Sequence, residues 1–424
     1  MMTLRRRSLG WQFGMSAYWF ATSMKWFLLL IAILPNQVQE LVPGGEKGTL
    51  WGRVVMLGAI WALVGPALFG WLSERIPTAY GRWRPWLVLG SATTVGALLL
   101  LADPKQYPMI VLGYLVLQVG DDLAQGPYSA LVPGLVPPEQ RGVASGVMGF
   151  LQLSAQIVGA VVARALGDIV MIYYFLAVTN VVCALITLAT VREDPEPRTA
   201  EPVSFFKAWT EPWKIADFRW VWFTRFLNAL GFYLVSTYLL YFLTDVVREF
   251  RFFGFVVADA GAGDDEALRS AARTAVFLIG LEISCIAAFG ALVCGKLADR
   301  IGRKAVATST GVLMALALAP VLFLPSFTIL VLLALPFAFA YGGYQSADWA
   351  LASDVMPESD SLAKNMGLWQ SSIAAPQIVS GLAGSVVDWA NAIRHGMGYQ
   401  FTFLLAALAF LVGSVLIKRI RGST

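Results

Sequence analysis

The sequence is poor in the residue types on which most site chemistry depends. Of its 424 residues, one is histidine and three are cysteine. Cys183, Cys285 and Cys294 fall in apolar stretches without paired spacing, which excludes a disulfide framework or a thiolate metal site and leaves them as small core hydrophobes. His395 lies between two apolar runs, where a loop residue is expected rather than a proton relay. There is no set of nucleophile, base and oxyanion donors, and no glycine-rich phosphate loop with its lysine. Neither an enzyme nor an ATP-driven pump is therefore expected, and no cofactor or metal is implied. Charge is scarce as well, at 14% of residues against roughly 25% in soluble domains. The formal charge of +4 calls for no nucleic-acid partner.

What the sequence has instead is long apolar runs. It is 58% hydrophobic with a mean hydropathy of +0.67, and a bilayer core of about 30 Å takes about 20 apolar residues per helical span. Twelve such stretches can be placed, near 11–34, 50–73, 85–102, 108–131, 142–165, 169–191, 219–243, 271–296, 305–324, 326–351, 363–387 and 398–417. A membrane β-barrel is excluded, since its strands are short and alternating. The fold class is an all-α membrane protein with twelve transmembrane helices in a lipid bilayer, read as a monomer. Lysine and arginine crowd one set of loops, which puts both termini on the cytoplasmic side of the cytoplasmic membrane. Arg5, Arg6 and Arg7 precede a first run too long for a signal peptide, so an uncleaved first span is expected. The charged segment 244–270 reads as a solvated loop on the outer side.

The stretch GKLADRIGRK, residues 295–304, is a charged turn between two spans, with Gly295 and Gly302 where chain passes close to chain. A looser copy, Gly70, Glu74, Arg75, Gly81 and Arg82, lies about 225 positions earlier. A shift of 220 also sets Gln125, Ala130, Leu131 and Pro137 on Gln345, Ala350, Leu351 and Pro357, and Met148, Gly149 and Gln152 fall on Met366, Gly367 and Gln370 at nearly the same offset. The halves form a parallel repeat of six spans each, 1–191 and 219–424, joined by a cytoplasmic loop at 192–218 rich in proline and charge. Pro197 and Pro202 end any helix there.

Polar residues inside the spans fall in stripes. Tyr18, Thr22 and Lys25 share one helical face, and Gln118, Asp121, Gln125 and Tyr128 share another, with Asp122 turned about 100° away from Asp121. Gln152 and Gln156 are one turn apart, as are Tyr233 and Thr237, while Arg225 and Asn228 are three apart. Tyr341, Gln345 and Asp348 repeat the pattern in the second half. A central lysine costs about 2.5–3.5 kcal/mol on insertion, so Lys25 needs a partner or water. Polar groups at this depth face a cavity or one another rather than lipid. Glu282 lies mid-span, either as a second protonation site or paired with Arg225 or Arg273. Gly146, Gly149, Gly159 and Gly167 are expected to allow close helix approach.

Two six-span halves with a G-x3-(D/E)-R-x-G-R-(R/K) turn, here Gly295, Asp299, Arg300, Gly302, Arg303 and Lys304, resemble the major facilitator superfamily over the whole chain. Within it, GRWRPW at 81–86 and DDLAQGPYSALVPGLVPPEQRG at 121–142 are similar to the glycoside-pentoside-hexuronide and sucrose transporter branch. Ser129 stands where the sucrose transporters carry arginine, and Trp83 replaces the middle arginine of the loop motif, so neither sucrose nor its coupling scheme carries over.

The resemblance implies a secondary transporter working by alternating access on a small-molecule solute, a sugar or glycoside, with a proton or sodium. Substrate contacts are expected from Gln118, Gln125, Gln152, Gln156, Asn228, Tyr233, Gln345, Trp349 and Gln370. Cation coupling is expected from Asp121, Asp122, Lys25 and Glu282, with Lys25 alternatively a purely structural partner of one aspartate. Gating is expected from Glu74, Arg75, Arg82, Asp299, Arg300, Arg303, Arg225 and Asp348. The rivals are a carrier or exporter of an amphipathic or tetrapyrrole-like solute and a nutrient receptor that does not transport.

Overall fold

The computed structural model describes residues 6–41, 47–76, 78, 80–192, 204–261, 265–356 and 362–422. Arg5, Pro197, Pro202, Asp264 and Pro357 lie outside the described residues. Twelve long helices carry the fold: α1 Leu9–Leu28, α2 Lys47–Ser73, α3 Arg84–Ala102, α4 Tyr107–Tyr128, α5 Arg141–Leu166, α6 Ile169–Thr190, α7 Ala216–Phe242, α8 Asp265–Ile301, α9 Arg303–Leu318, α10 Phe327–Val355, α11 Leu362–Leu382 and α12 Met397–Leu416. Among the described residues, eight of them are long and apolar enough to cross a membrane. The helices α1 and α4, which carry Lys25, Asp121 and Asp122, are not in that set. Their polar stripes lower the hydropathy of spans that face protein rather than lipid.

Local chemistry sets the helix ends. Ser8, Asp168 and Ser326 accept hydrogen bonds from the backbone N–H groups of Trp11, Met171 and Ile329 and so cap α1, α6 and α10. Gly167 ends α5 at φ +66° with open space around it. It is a left-handed cap and not the close contact expected, whereas Gly146 and Gly159 do meet neighbouring helices. A π-helical turn, Leu29–Ile33, follows α1 directly above Lys25.

The packing is a repeat. Within the first half α1 packs on α5 and α6, α4 on α2 and α3, and α3 on α6; each pair recurs six helices later, as α7 on α11 and α12, α10 on α8 and α9, and α9 on α12. The contacts between halves obey the same relation, α5 against α8 and α2 against α11. Twelve membrane-spanning helices thus form two pseudo-symmetric six-helix bundles.

Two expectations need correction. The described part of 244–270 is not simply a loop: a π-helical turn at Leu243–Val247 leads into a hairpin of β1 Phe250–Phe252 and β2 Phe255–Ala258, and α8 begins at Asp265. At 37 residues and about 1.5 Å rise each, α8 projects beyond the bilayer core, where charged residues are solvated at no cost to the helix. The described part of 192–218 is also helical, with turns at Phe205–Thr210 and Pro212–Lys214 and α7 starting at Ala216.

Candidate functional site

In the first half the site is built on α1 and α4. The i+3 and i+4 spacing that puts Thr22, Lys25 and Trp26 together aims all three at Asp121. The Lys25 ammonium pairs with Asp121 Oδ1 at side-chain exposures of 1% and 2%. The Thr22 hydroxyl donates to the same oxygen at 3.0 Å, and Trp26 Nε1 donates to Oδ2 at 2.6 Å. A buried carboxylate therefore has a cation and two further donors. Asp122 takes the other direction: Gln118 Nε2 lies 3.3 Å from each of its oxygens, and a Cβ on Gly65 of α2 would stand 2.3 Å from Asp122 Oδ2. Gln118 thus serves Asp122 within the bundle. Tyr128, lower on the stripe, donates to the Met15 carbonyl at 2.8 Å.

In the second half a cavity of about 40 Å³ is lined by Arg225, Asn228, Phe232, Tyr233, Tyr341, Tyr344 and Gln345. At roughly 10–15 Å³ per water it holds a few waters in this closed arrangement. Arg225 Nε lies 3.5 Å from Asp348 Oδ2, Nη2 donates to Gln370 Oε1 at 3.2 Å, and the guanidinium sits 3.4 Å above the Trp369 ring. Phe232 stacks on Tyr341 with centroids 4.6 Å apart. Around this slot Arg225 Nη1 is buried without a hydrogen-bond partner among the described residues, and the Tyr344 hydroxyl faces Asp348 and Asn228. Gln377 Nε2 donates to the Tyr233 hydroxyl at 2.6 Å, and Gln345 Nε2 to Tyr341 at 3.4 Å. Aromatic faces beside polar side chains suit a hydroxylated ring.

Between the halves lies an aromatic floor. Trp19 stacks on Tyr128 and meets Trp349 edge-on at 5.6 Å, and Trp349 meets Trp369 at 4.9 Å. Trp19 Nε1 donates to Gln152 Oε1 at 3.1 Å, while Ser284 donates across the halves to Gln156 Oε1 at 3.3 Å. Trp349 is thus part of the floor, and Gln370 is a ligand of Arg225. Gln125 is half-buried on α4.

On the face that carries the termini the two charged turns latch the halves reciprocally. Asp299 accepts from the N–H groups of Gly142 and Val143, both at 2.8 Å, so the end of α8 caps the start of α5. Glu74, after α2, accepts from the Ala363 N–H at the start of α11. Arg303 pairs with Asp354 and donates to the Pro138 carbonyl, and Arg141 pairs with Asp354 at 3.1 Å. Gly81 and Gly302 hold φ of +103° and +97°, and the Gly142 and Gly295 backbones touch where any Cβ would clash. Burial pushes the Glu74 carboxyl up to about 8, against the opposing pull of the Ala363 N–H, Arg82, Lys364 and Arg75. Arg75 rests on the Trp71 ring at 4.5 Å, whereas Arg300 is exposed at the end of α8.

The sequence model of the Major Facilitator Superfamily matches residues 2–160, 67–262 and 267–422. The chain belongs to the major facilitator superfamily. As such it is a multi-pass membrane protein of a transporter superfamily. It is 27% identical over 150 residues to the sucrose transport protein SUC4 of Arabidopsis thaliana, an alignment covering 31% of this chain and 29% of that protein. It is 23% identical over 205 residues to the multidrug resistance protein MdtG of Proteus mirabilis, covering 46% and 49%. The matches thus span less than half of either relative. Among solved structures it is similar to the Escherichia coli fucose:proton symporter FucP, at TM-score 0.74 and 14% identity with 97% and 98% of the chains covered. A bacterial homologue of the iron transporter ferroportin in its outward-facing state gives 0.71 at 12% identity, covering 98% and 99%. At such identities these likenesses concern the fold of the facilitator.

Several partners escaped the sequence reading. Trp19, Trp26, Arg141, Asp354 and Tyr344 complete the site. Only Asp354 and Arg141 left a trace, as charges at span ends. Glu282 makes no ion pair among the described residues; Arg225, one of its expected partners, is held by Asp348. Arg225 of that pair, expected as a gate, also lines the cavity.

Proposed function

We propose that this facilitator moves a sugar or glycoside across the cytoplasmic membrane by alternating access, coupled to a proton, with both termini in the cytoplasm. The halves, 1–191 and 219–424, rock about the aromatic floor, and the 192–218 segment tethers them. The observation that carries the reading is the buried Lys25–Asp121 pair. Protonation of Asp121 breaks the pair and leaves the Lys25 ammonium unpaired in a low-dielectric wall, so a proton entering from one side changes how α1 and α4 hold together. The solute site is the second-half slot, in which Asn228, Tyr233, Gln345 and the Phe232–Tyr341 stack offer hydrogen bonds and a ring face. In this reading Gln125, Gln152 and Gln156 meet the solute from the first half as the halves rock. Likeness to SUC4 and to FucP supports a sugar.

An inward potential supplies roughly 2.3 kcal/mol per charge per 100 mV, which drives uptake when a protonated carboxyl moves with its load. The test is flux into proteoliposomes with labelled sugars. Saturable uptake driven by an inward proton gradient and abolished by an uncoupler is expected. Likeness to MdtG favours a second reading, export of an amphipathic solute; dye extrusion with no sugar flux supports that reading and contradicts the first.

A further inference from the structure

The hairpin between α7 and α8 serves no part of the transport site, and its composition is unusual for a segment facing water. Its turn is Phe253–Gly254, at φ +47° and +88°. A bulky non-glycine residue at positive φ is disfavoured, and asparagine or glycine fits such a two-residue turn better. The Phe253 ring is nonetheless 67% exposed and that of Phe255 78% exposed, so packing within the protein does not repay the strain.

The hairpin is fixed in place. Phe250 is buried against Phe327 with centroids 5.8 Å apart, the Phe253 N–H donates to Thr328 Oγ1 at 3.4 Å, and that hydroxyl donates to the Arg251 carbonyl at 2.9 Å. Thr328 belongs to the first turn of α10, at the face opposite the termini. A helix of 29 residues spans about 43 Å at ~1.5 Å per residue, so its first turn lies at headgroup level. Leu332 and Leu335 follow Thr328 at i+4 and i+7, on the same helix face, and both are exposed. The hairpin therefore continues a lipid-facing stripe. Phe323 and Leu324, just before α10, are 80% and 57% exposed, and Arg251, whose Nε lies 3.9 Å from Glu249 Oε2, is 60% exposed on the hairpin.

We infer that this hairpin is a membrane anchor: the rings of Phe253 and Phe255, with Phe323 and Leu324, insert at the headgroup–acyl boundary of the leaflet opposite the termini, and Arg251 reaches lipid phosphate. Phenylalanine and leucine side chains bury at the headgroup–acyl boundary, and phosphate suits a guanidinium. Continuity with the exposed face of α10 selects lipid over a second copy of the chain or a soluble partner.

The test places the photo-crosslinker p-benzoylphenylalanine at Phe253, Phe255 or Glu249 of the full chain, in vesicles of phosphatidylethanolamine and phosphatidylglycerol. Mass spectrometry after illumination reads the adducts. The two phenylalanine positions are expected to give phospholipid adducts at least fivefold above position 249, which is 80% exposed. Adducts no more frequent at 253 and 255 than at 249, or a cross-linked dimer in their place, would overturn the anchor. Phe253→Asn retains the turn geometry and removes the tip ring. Combined with the probe at 255 it is expected to lower the lipid adduct at least twofold, and an unchanged yield counts against the tip.

Discussion

Asp121 shows how one residue is made both costly and useful. A carboxylate at 2% exposure is tolerable in a membrane only when paired and hydrogen-bonded, and Lys25, Thr22 and Trp26 supply both. Removing one partner leaves the other charge buried. Lys25→Met is therefore expected to destabilise the protein by about 3–5 kcal/mol, with most of the loss restored in the Lys25→Met, Asp121→Asn double variant. Thermal unfolding in nanodiscs checks this, and a double variant as unstable as the single one would remove the pair from the account. Asp122 makes a steric demand instead. Gly65→Ala would place its Cβ 2.3 Å from Asp122 Oδ2, and an overpacking cost of about 1–3 kcal/mol is expected. Much of this was legible, because i, i+4 and i+7 spacing puts Lys25 and Asp121 on polar faces. That Lys25 partners one of the two aspartates was an alternative the sequence offered; that it takes Asp121 was not legible, since periodicity orients a side chain without saying which group stands opposite.

At the scale of elements, the repeated turn acts through backbone geometry as much as charge. Gly302 at φ +97° starts α9 in a conformation that only glycine adopts freely. Gly302→Ala is expected to cost about 1–3 kcal/mol and to loosen the Asp299 cap on α5, read as faster labelling of cysteines introduced at the terminal face. The other turn carries a pH dependence. Glu74 has a pKa of about 8 when buried against α11, against 4.5 for the free group. The closed latch thus binds the proton more tightly than the open one. Closure is favoured most below pH 4.5, weakens as pH rises toward about 8, and levels off above it. Spin-label distances between the ends of α2 and α11 should lengthen over that window, and in Glu74→Gln they should stay short and independent of pH. The repeat and the charged turn were visible in sequence. The hairpin at 250–258 was not, because the surrounding charges mask a short alternating run, and the start of α8 was hidden because helix and loop tolerate the same charges outside the bilayer.

At the scale of the whole molecule, the pseudo-symmetry assigns the work. Both latches lie on the face of the termini, each half capping a helix of the other, and the aromatic floor seals the same side beneath the second-half slot. Opening that face breaks the Asp299 and Glu74 caps together, because each sits at the moving edge of its own half. In the proposed scheme the Lys25–Asp121 pair lies in one half and the solute slot in the other, so coupling crosses between the halves, where Trp19 meets Trp349 and Ser284 donates to Gln156. Trp19→Ala is accordingly expected to uncouple the two with little change in solute affinity, seen as proton leak without solute. The most direct measurement compares wild type with Asp121→Asn in proteoliposomes, scoring accumulation driven by a pH gradient beside solute counterflow at equal pH. The account predicts that the variant loses accumulation and keeps counterflow; accumulation at the wild-type level would contradict it.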